Sequence, residues 1–230
     1  MGTTNEGRVY SDPILFQPGC VAPNIVLSSP TLAAFDTEGR QELIAELRAH
    51  AFYVTALAGA NNDFQLIART PGTGGLSITL TIAVAGNNTA LSVSVTGTAI
   101  TVNSATNGSG VATSTAAQVV AAINAKDAAR ALVIPALAPS NDGTGAVVAL
   151  SVTNLIDWPG TSPTLDAKVQ TSVDDTNFAD VAVAFTQKVA VGASQKKLFA
   201  PVGTKAKHVV ALGGTSTPKA AYSIVTWARP

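Results

Sequence analysis

Between residues 78 and 95 apolar side chains recur at every second position in two runs, and that period commits the stretch to a sheet. Ile78, Leu80, Ile82 and Val84 alternate with Thr79, Thr81 and Ala83. Leu91, Val93 and Val95 then alternate with Ser92, Ser94 and Thr96. Successive side chains of a strand point to opposite faces, so each stretch buries one face and wets the other. Pro71-Gly-Thr-Gly-Gly75 joins a strand at 64–70 to one at 76–85. Gly86-Asn-Asn88 and Gly97 turn the chain into strands at 91–96 and 99–103, and Asn107-Gly-Ser-Gly110 reads as a flexible loop.

Thr115 and Gln118 have the spacing of a capping box, in which hydroxyl and amide satisfy each other's backbone donors. The helix they open presents Ala116, Val119, Val120 and Ile123 to the sheet and ends near Lys126 or Arg130. Strands at 132–137 and 146–153 flank Asn141-Asp-Gly-Thr-Gly145. A second helix is expected at 38–51, capped by Asp36 or Thr37. Its acids Glu38 and Glu42 fall early, and Arg48 and His50 fall late, as the helix dipole favours.

Asp157-Trp-Pro-Gly-Thr-Ser-Pro163 has no periodicity and reads as a boundary. Strand candidates follow at 165–172, 178–185, 196–200, 208–212 and 221–227. At the other end, Pro13, Pro18, Pro23 and Pro30 keep helix or central strand from running far. The expected fold is α+β and mostly β. It comprises an extended N-terminal arm (1–35), a mixed sheet-plus-helix domain with two helices (36–156), a linker (157–163) and a small antiparallel β-sandwich (164–230).

The arm carries Ile14, Leu15, Phe16, Ile25, Val26 and Leu27. An apolar segment too short for its own core must lie along its own domain or along a neighbour, so these six are the candidate partner-binding residues. Charge supports an assembly role. Only 12% of residues are charged, about half the ~25% of ordinary soluble domains, which suits either a Thr/Ser-covered β protein or a surface largely covered by other subunits. Residues 164–230 hold eight Lys/Arg against four Asp/Glu and residues 1–163 hold six against ten. Opposite signs of this size fit head-to-tail docking or simple drift, and they fall short of the basic stripe of a nucleic-acid surface.

Cys20 is the sole cysteine, which excludes an intramolecular disulfide and Cys-x-x-Cys metal spacings. No basic stretch followed by an apolar run opens the sequence, so no Sec signal peptide is expected, and no apolar window is long enough to span a bilayer. His50 and His208 lack neighbours suited to catalysis. Ser109 lacks the glycines of a nucleophile elbow at 107 and 111. Gly72-Thr-Gly74 and Gly143-Thr-Gly145 lack the third glycine of a dinucleotide loop, with Ser77 and Val148 in its place. Asp174, Asp175, Asn177 and Asp180 offer oxygen ligands for calcium, but a hairpin tip rich in Asp and Asn is ordinary. Lys196, Lys197, Lys205 and Lys207 form a modest basic cluster, read as a solvated strand edge. No catalytic residue, cofactor or metal is expected.

Two stretches carry a family resemblance. Thr70-Pro-Gly-Thr-Gly-Gly-Leu-Ser-Ile-Thr79, Ala99-Ile-Thr-Val102, Ser114-Thr-Ala-Ala-Gln-Val-Val-Ala-Ala-Ile-Asn-Ala125 and Asn141-Asp-Gly-Thr-Gly145 resemble a module recurrent in structural proteins of tailed bacteriophages. The run from Thr164 to Val181, with Gly213-Gly-Thr-Ser-Thr-Pro218 and Tyr222-Ser-Ile224, resembles the small β-sandwich that often follows it. The resemblance implies a non-enzymatic virion protein assembled in the host cytoplasm. Combined with the arm and the low charge, it implies a capsid decoration, or cement, protein on the capsid surface. Its partners would be the major capsid protein and copies of itself, with a trimer favoured, and neither a specific nucleic acid nor a membrane. A tail-tube or other tail component, and a host-glycan-binding attachment module, are the alternatives.

Overall fold

In the computed structural model of the chain, residues 21–26, 34–37, 42–174, 176–216 and 218–228 are described. The elements begin with β1 (Val21–Val26), β2 (Phe35–Asp36) and β3 (Leu43–His50). Next come β4 (Phe52–Val54), β5 (Phe64–Ala68), a 3-10 turn (Thr73–Ser77), β6 (Thr79–Ala83), β7 (Ser92–Thr96) and β8 (Ala99–Asn103). Helices α1 (Ala116–Ala125) and α2 (Asp127–Leu132) precede β9 (Val133–Leu137) and β10 (Leu150–Asn154). The last strands are β11 (Thr161–Ser172), β12 (Ala179–Ala184), β13 (Gln195–Phe199), β14 (Lys205–Thr215) and β15 (Ala220–Ala228). The protein is mostly β, with antiparallel sheets predominating.

The chain divides into two compact units, and the first is discontinuous: residues 1–49 with 158–230. Residues 50–157 form the second, spliced between the halves of the first. This departs from a boundary at 36 and a sandwich confined to 164–230. The second unit ends at Asp157, and 157–163 is no free linker: Trp158 is buried and β11 already begins at Thr161.

In the discontinuous unit, sheet A has the order β1-β15-β3-β13 and sheet B the order β12-β11-β14-β2. Leu165, Ala167 and Val169 on β11 and Ala206, His208 and Val210 on β14 alternate inward. Leu43, Ala45, Leu47 and Ala49 on β3 do the same. His208 Nε2 lies 2.9 Å from Thr226 Oγ1 of β15, so the sheets face one another as a sandwich. The expected helix at 38–51 is wrong over its described part, where β3 pairs antiparallel with β13 from Leu43↔Phe199 to Leu47↔Gln195. Leu-Ile-Ala-Glu-Leu-Arg-Ala-His is made of helix formers, but its apolar residues also fall at every second position, and a berth between β15 and β13 decides for strand. Arg48 therefore answers no helix dipole; its guanidinium lies 2.8 Å from Glu46 Oε2, two residues along the same strand face.

In the continuous unit, sheet C runs β4-β5-β9 and sheet D runs β10-β6-β8-β7. Sheet D is mixed: β6 and β8 are parallel from Thr79↔Ala99 to Ala83↔Asn103, while β10–β6 and β7–β8 are antiparallel. β8 thus takes the place beside β6 that a simple meander would give to β7. Gly97, with φ 59°, makes the tight β7–β8 turn that favours glycine at its first central position. Phe64, Leu66, Leu80, Ile82, Ile100 and Val102 form the core with Val119 and Ile123 of α1. The expected helix face is correct apart from Val120, which is half-buried.

Candidate functional site

The glycine turn Asn141 to Gly145 works as a helix clamp. The first turn of a helix has amide donors without intrahelical partners. In α1 the Ala116 amide donates to Gly145 O at 3.0 Å and the Ala117 amide to Gly143 O at 3.0 Å. The capping box supplies the rest: Gln118 N donates to Thr115 Oγ1 at 3.3 Å, and Thr115 N donates to Gln118 Oε1 at 2.9 Å. The loop amides that would cradle a phosphate already have protein partners: Gly143 N donates to Asn141 Oδ1, Thr144 N to Asp142 Oδ1 and Gly145 N to Asn61 O. Gly143 has φ 72°, while Gly145 lies so close to the Ala60 carbonyl that a Cβ would sit 2.0 Å from that oxygen. Gly75 of the other glycine-rich loop is a packing residue, its missing Cβ position 2.6 Å from Ala68 Cβ.

The loop at 107–110 is ordered by its own asparagine. Asn107 Oδ1 accepts from the Ser109 amide at 2.9 Å and the Val111 amide at 3.0 Å, and Asn107 O accepts from Asn88 N at 3.0 Å. A flexible loop was expected because Gly-Ser-Gly carries no pattern of its own. The Asx turn and the pairing to 86–89 supply the order.

Asp174 closes the β11–β12 turn. Its carboxylate accepts from Asn177 N at 2.8 Å, Asn177 Nδ2 at 2.7 Å, Thr176 N at 3.0 Å and Ser172 Oγ at 2.9 Å. The Asn177 amide foremost, with its side chain and the other donors, holds the Asp174 carboxyl far below its ordinary value. Asp180 is turned the other way, to Lys168 Nζ at 2.7 Å and Gln170 Nε2 at 2.7 Å, and these two donors lower it as well. The two aspartates are thus committed to separate protein donors and are not aimed at one common point. Asp175 lies outside the described residues.

His50 is fully buried with Nδ1 2.8 Å from Ala68 O, and His208 is stacked on Phe35 with centroids 5.2 Å apart. Both serve the core. The expected lysine cluster is split between sheets. Lys196 and Lys197 lie on β13 at the edge of sheet A, whereas Lys205 pairs with Asp36 at 2.7 Å and Lys207 caps the Phe178 ring at 4.2 Å on sheet B. The charge asymmetry also disappears. Residues 50–157 hold Arg69, Lys126 and Arg130 against Asp63, Asp127, Asp142 and Asp157, leaving eleven cations against ten anions for the other unit. Units this close to neutral give no basis for head-to-tail docking by charge.

Of the candidate partner-binding residues, Ile14, Leu15, Phe16 and Leu27 lie outside the described residues. Ile25 and Val26 belong to β1, registered with Ala221 and Ala220 of β15 in the same chain.

Sequence reasoning missed a surface. Leu80, Ile82, Ile100 and Val102 point into the core, so the alternate residues of sheet D form its outer face. Register aligns them in rows: Thr79, Ala99 and Thr96; Thr81, Thr101 and Ser94; Ala83, Asn103 and Ser92. None is charged. The signal was present as the Ser/Thr half of the alternation, but the rows need the strand order β6-β8-β7. No protein-family model matches the chain, and no match was found among curated proteins or solved structures.

Proposed function

We propose that this chain is a structural virion protein of a tailed bacteriophage, a capsid decoration protein that binds and stabilises the head shell. The observation that carries the reading is the uncharged, mostly hydroxyl outer face of sheet D, taken with the phage-module resemblance of the stretches 70–79, 99–102, 114–125 and 141–145 in the same unit. Covering neutral hydroxyls that regain hydrogen bonds costs far less than covering charges, so such a face suits burial under another subunit. The 12% charge content of the chain extends the same property beyond this sheet. Affinity for a shell would come from many modest contacts made at once, with the major capsid protein and neighbouring copies as partners. The role is one of binding, and the motifs that resembled catalytic or cofactor loops close turns and helix ends instead. Separating purified particles into heads and tails and probing each with antibody to this chain tests the assignment. Signal on heads is expected, and signal confined to tails would move the protein to the tail.

A further inference from the structure

The eight edges of the four sheets are not treated alike. An open edge offers unpaired backbone groups to any other strand, and proteins blunt it with short strands, lysines, prolines or bulges. In sheet A, β1 carries Pro23 and a register shift, and β13 carries Lys196 and Lys197. In sheet B, β12 meets β11 through a register shift, and β2 is two residues long. In sheet C, β4 has three residues and β9 contains Pro135. In sheet D, β10 has a register shift against β6.

Among the described strands β7 alone has none of these devices. Ser92-Val-Ser-Val-Thr96 runs five residues in unbroken register with β8, without charge, proline or bulge. Its inward valines, Val93 and Val95, are half-buried, whereas Val102 and Ile100 opposite them are fully buried. Helices α1 and α2 lie against β7, yet Val93 and Val95 keep part of their surface exposed and, among the described residues, no backbone group of 92–96 bonds outside the sheet. The edge therefore has both hydrogen-bonding capacity and apolar surface to gain from one more strand.

The sequence of β7 says which strand. It reads nearly the same in both directions about Ser94, so an antiparallel pair of two copies sets Val93 against Val95 and Ser92 against Thr96, with Ser94 facing itself. Every cross-strand pair then matches valine to valine and hydroxyl to hydroxyl, and no charge opposes a like charge. We infer that β7 is the self-association edge of this protein, joining two copies through a two-fold β7–β7 pairing into one continuous sheet. The inference does not depend on the capsid assignment, and a two-fold pair differs from the trimer favoured by resemblance.

Sedimentation equilibrium of the full chain, with hydrogen exchange of peptides covering 91–97, tests it without any capsid. Dimerisation is expected, with exchange protection of β7 that rises with protein concentration. Ser94→Lys changes an exposed side chain and sets two cations against each other on the two-fold axis, whereas Ser92→Lys puts a cation two residues from the axis, opposite Thr96 of the other copy. Ser94→Lys should raise the dimer dissociation constant about fivefold and Ser92→Lys by less, while the circular dichroism spectrum, and the melting temperature at concentrations where the wild type is monomeric, stay those of the wild type. A monomer at all concentrations, a dimer indifferent to both lysines, or β7 protection independent of concentration would overturn the inference.

Discussion

Replacing Gly145 by alanine should destabilise the continuous unit severely, for a reason that is steric and local. A methyl group at this position lies 2.0 Å from Ala60 O and 2.8 Å from Asn61 C. Ordinary contact begins near 3.4 Å, so the backbone at 60–61 must retreat by about 1.4 Å (3.4 less 2.0). That retreat breaks the 2.8 Å hydrogen bond from Gly145 N to Asn61 O and disturbs the carbonyl that receives the Ala116 amide. Overpacking costs about 1–3 kcal/mol and a lost backbone hydrogen bond about 0.5–1.5 kcal/mol, so about 3 kcal/mol is expected in sum. For a domain of 60–100 residues that corresponds to a fall of about 12–24 °C in melting temperature. Urea denaturation of the full chain with a thermal scan measures it. Gly74→Ala is the matched control, because nothing lies within 4 Å of its added Cβ and neither glycine has a left-handed φ. Gly74→Ala should be neutral or stabilising by up to about 1 kcal/mol. A Gly145→Ala protein within about 0.5 kcal/mol of wild type, or equal loss in both variants, would refute the reasoning.

Other outcomes follow from the same geometry. Thr115→Ala removes the capping hydroxyl of α1 and should cost about 1 kcal/mol in urea denaturation; no loss would mean that the Gly143 and Gly145 carbonyls suffice. Asp174 has a depressed folded value, so its contribution is present above the ordinary 3.8 and is lost as pH falls below it. The melting-temperature gap between wild type and Asp174→Ala should accordingly be constant near neutrality and shrink below pH 3.8. Burial pushes the Tyr222 phenol up to about 12. Its contribution is therefore full below the ordinary value of 10.0 and declines as pH rises towards 12. Ultraviolet titration should show one tyrosine ionising late, absent in Tyr222→Phe.

The sequence reading succeeded where a signal was local. The alternation from Ile78 to Ala83 and from Ser92 to Thr96 located β6 and β7, and Thr115 with Gln118 located the start of α1 within one residue. It failed where the deciding partner lies far along the chain. Leu43, Ile44 and Leu47 make a plausible helix face, and only pairing with β13, some 150 residues later in sequence, selects the strand. The parallel pairing of β6 with β8 is likewise nonlocal, and with it the hydroxyl rows and the open β7 edge stayed hidden. The domain division failed most instructively. Cutting the chain at 163 gave halves of opposite charge, whereas the folded units draw on both ends of the sequence and are nearly neutral. Ile25 and Val26, read as part of a partner-binding arm, instead have backbone partners on β15 of the same chain.

Sedimentation of the purified protein with empty, expanded phage capsids, scored for copies bound per shell, tests the functional reading most directly. Saturable binding at a fixed number per capsid is the predicted result, with no binding to unexpanded shells. Absence of binding to expanded capsids at saturating protein would contradict a decoration role.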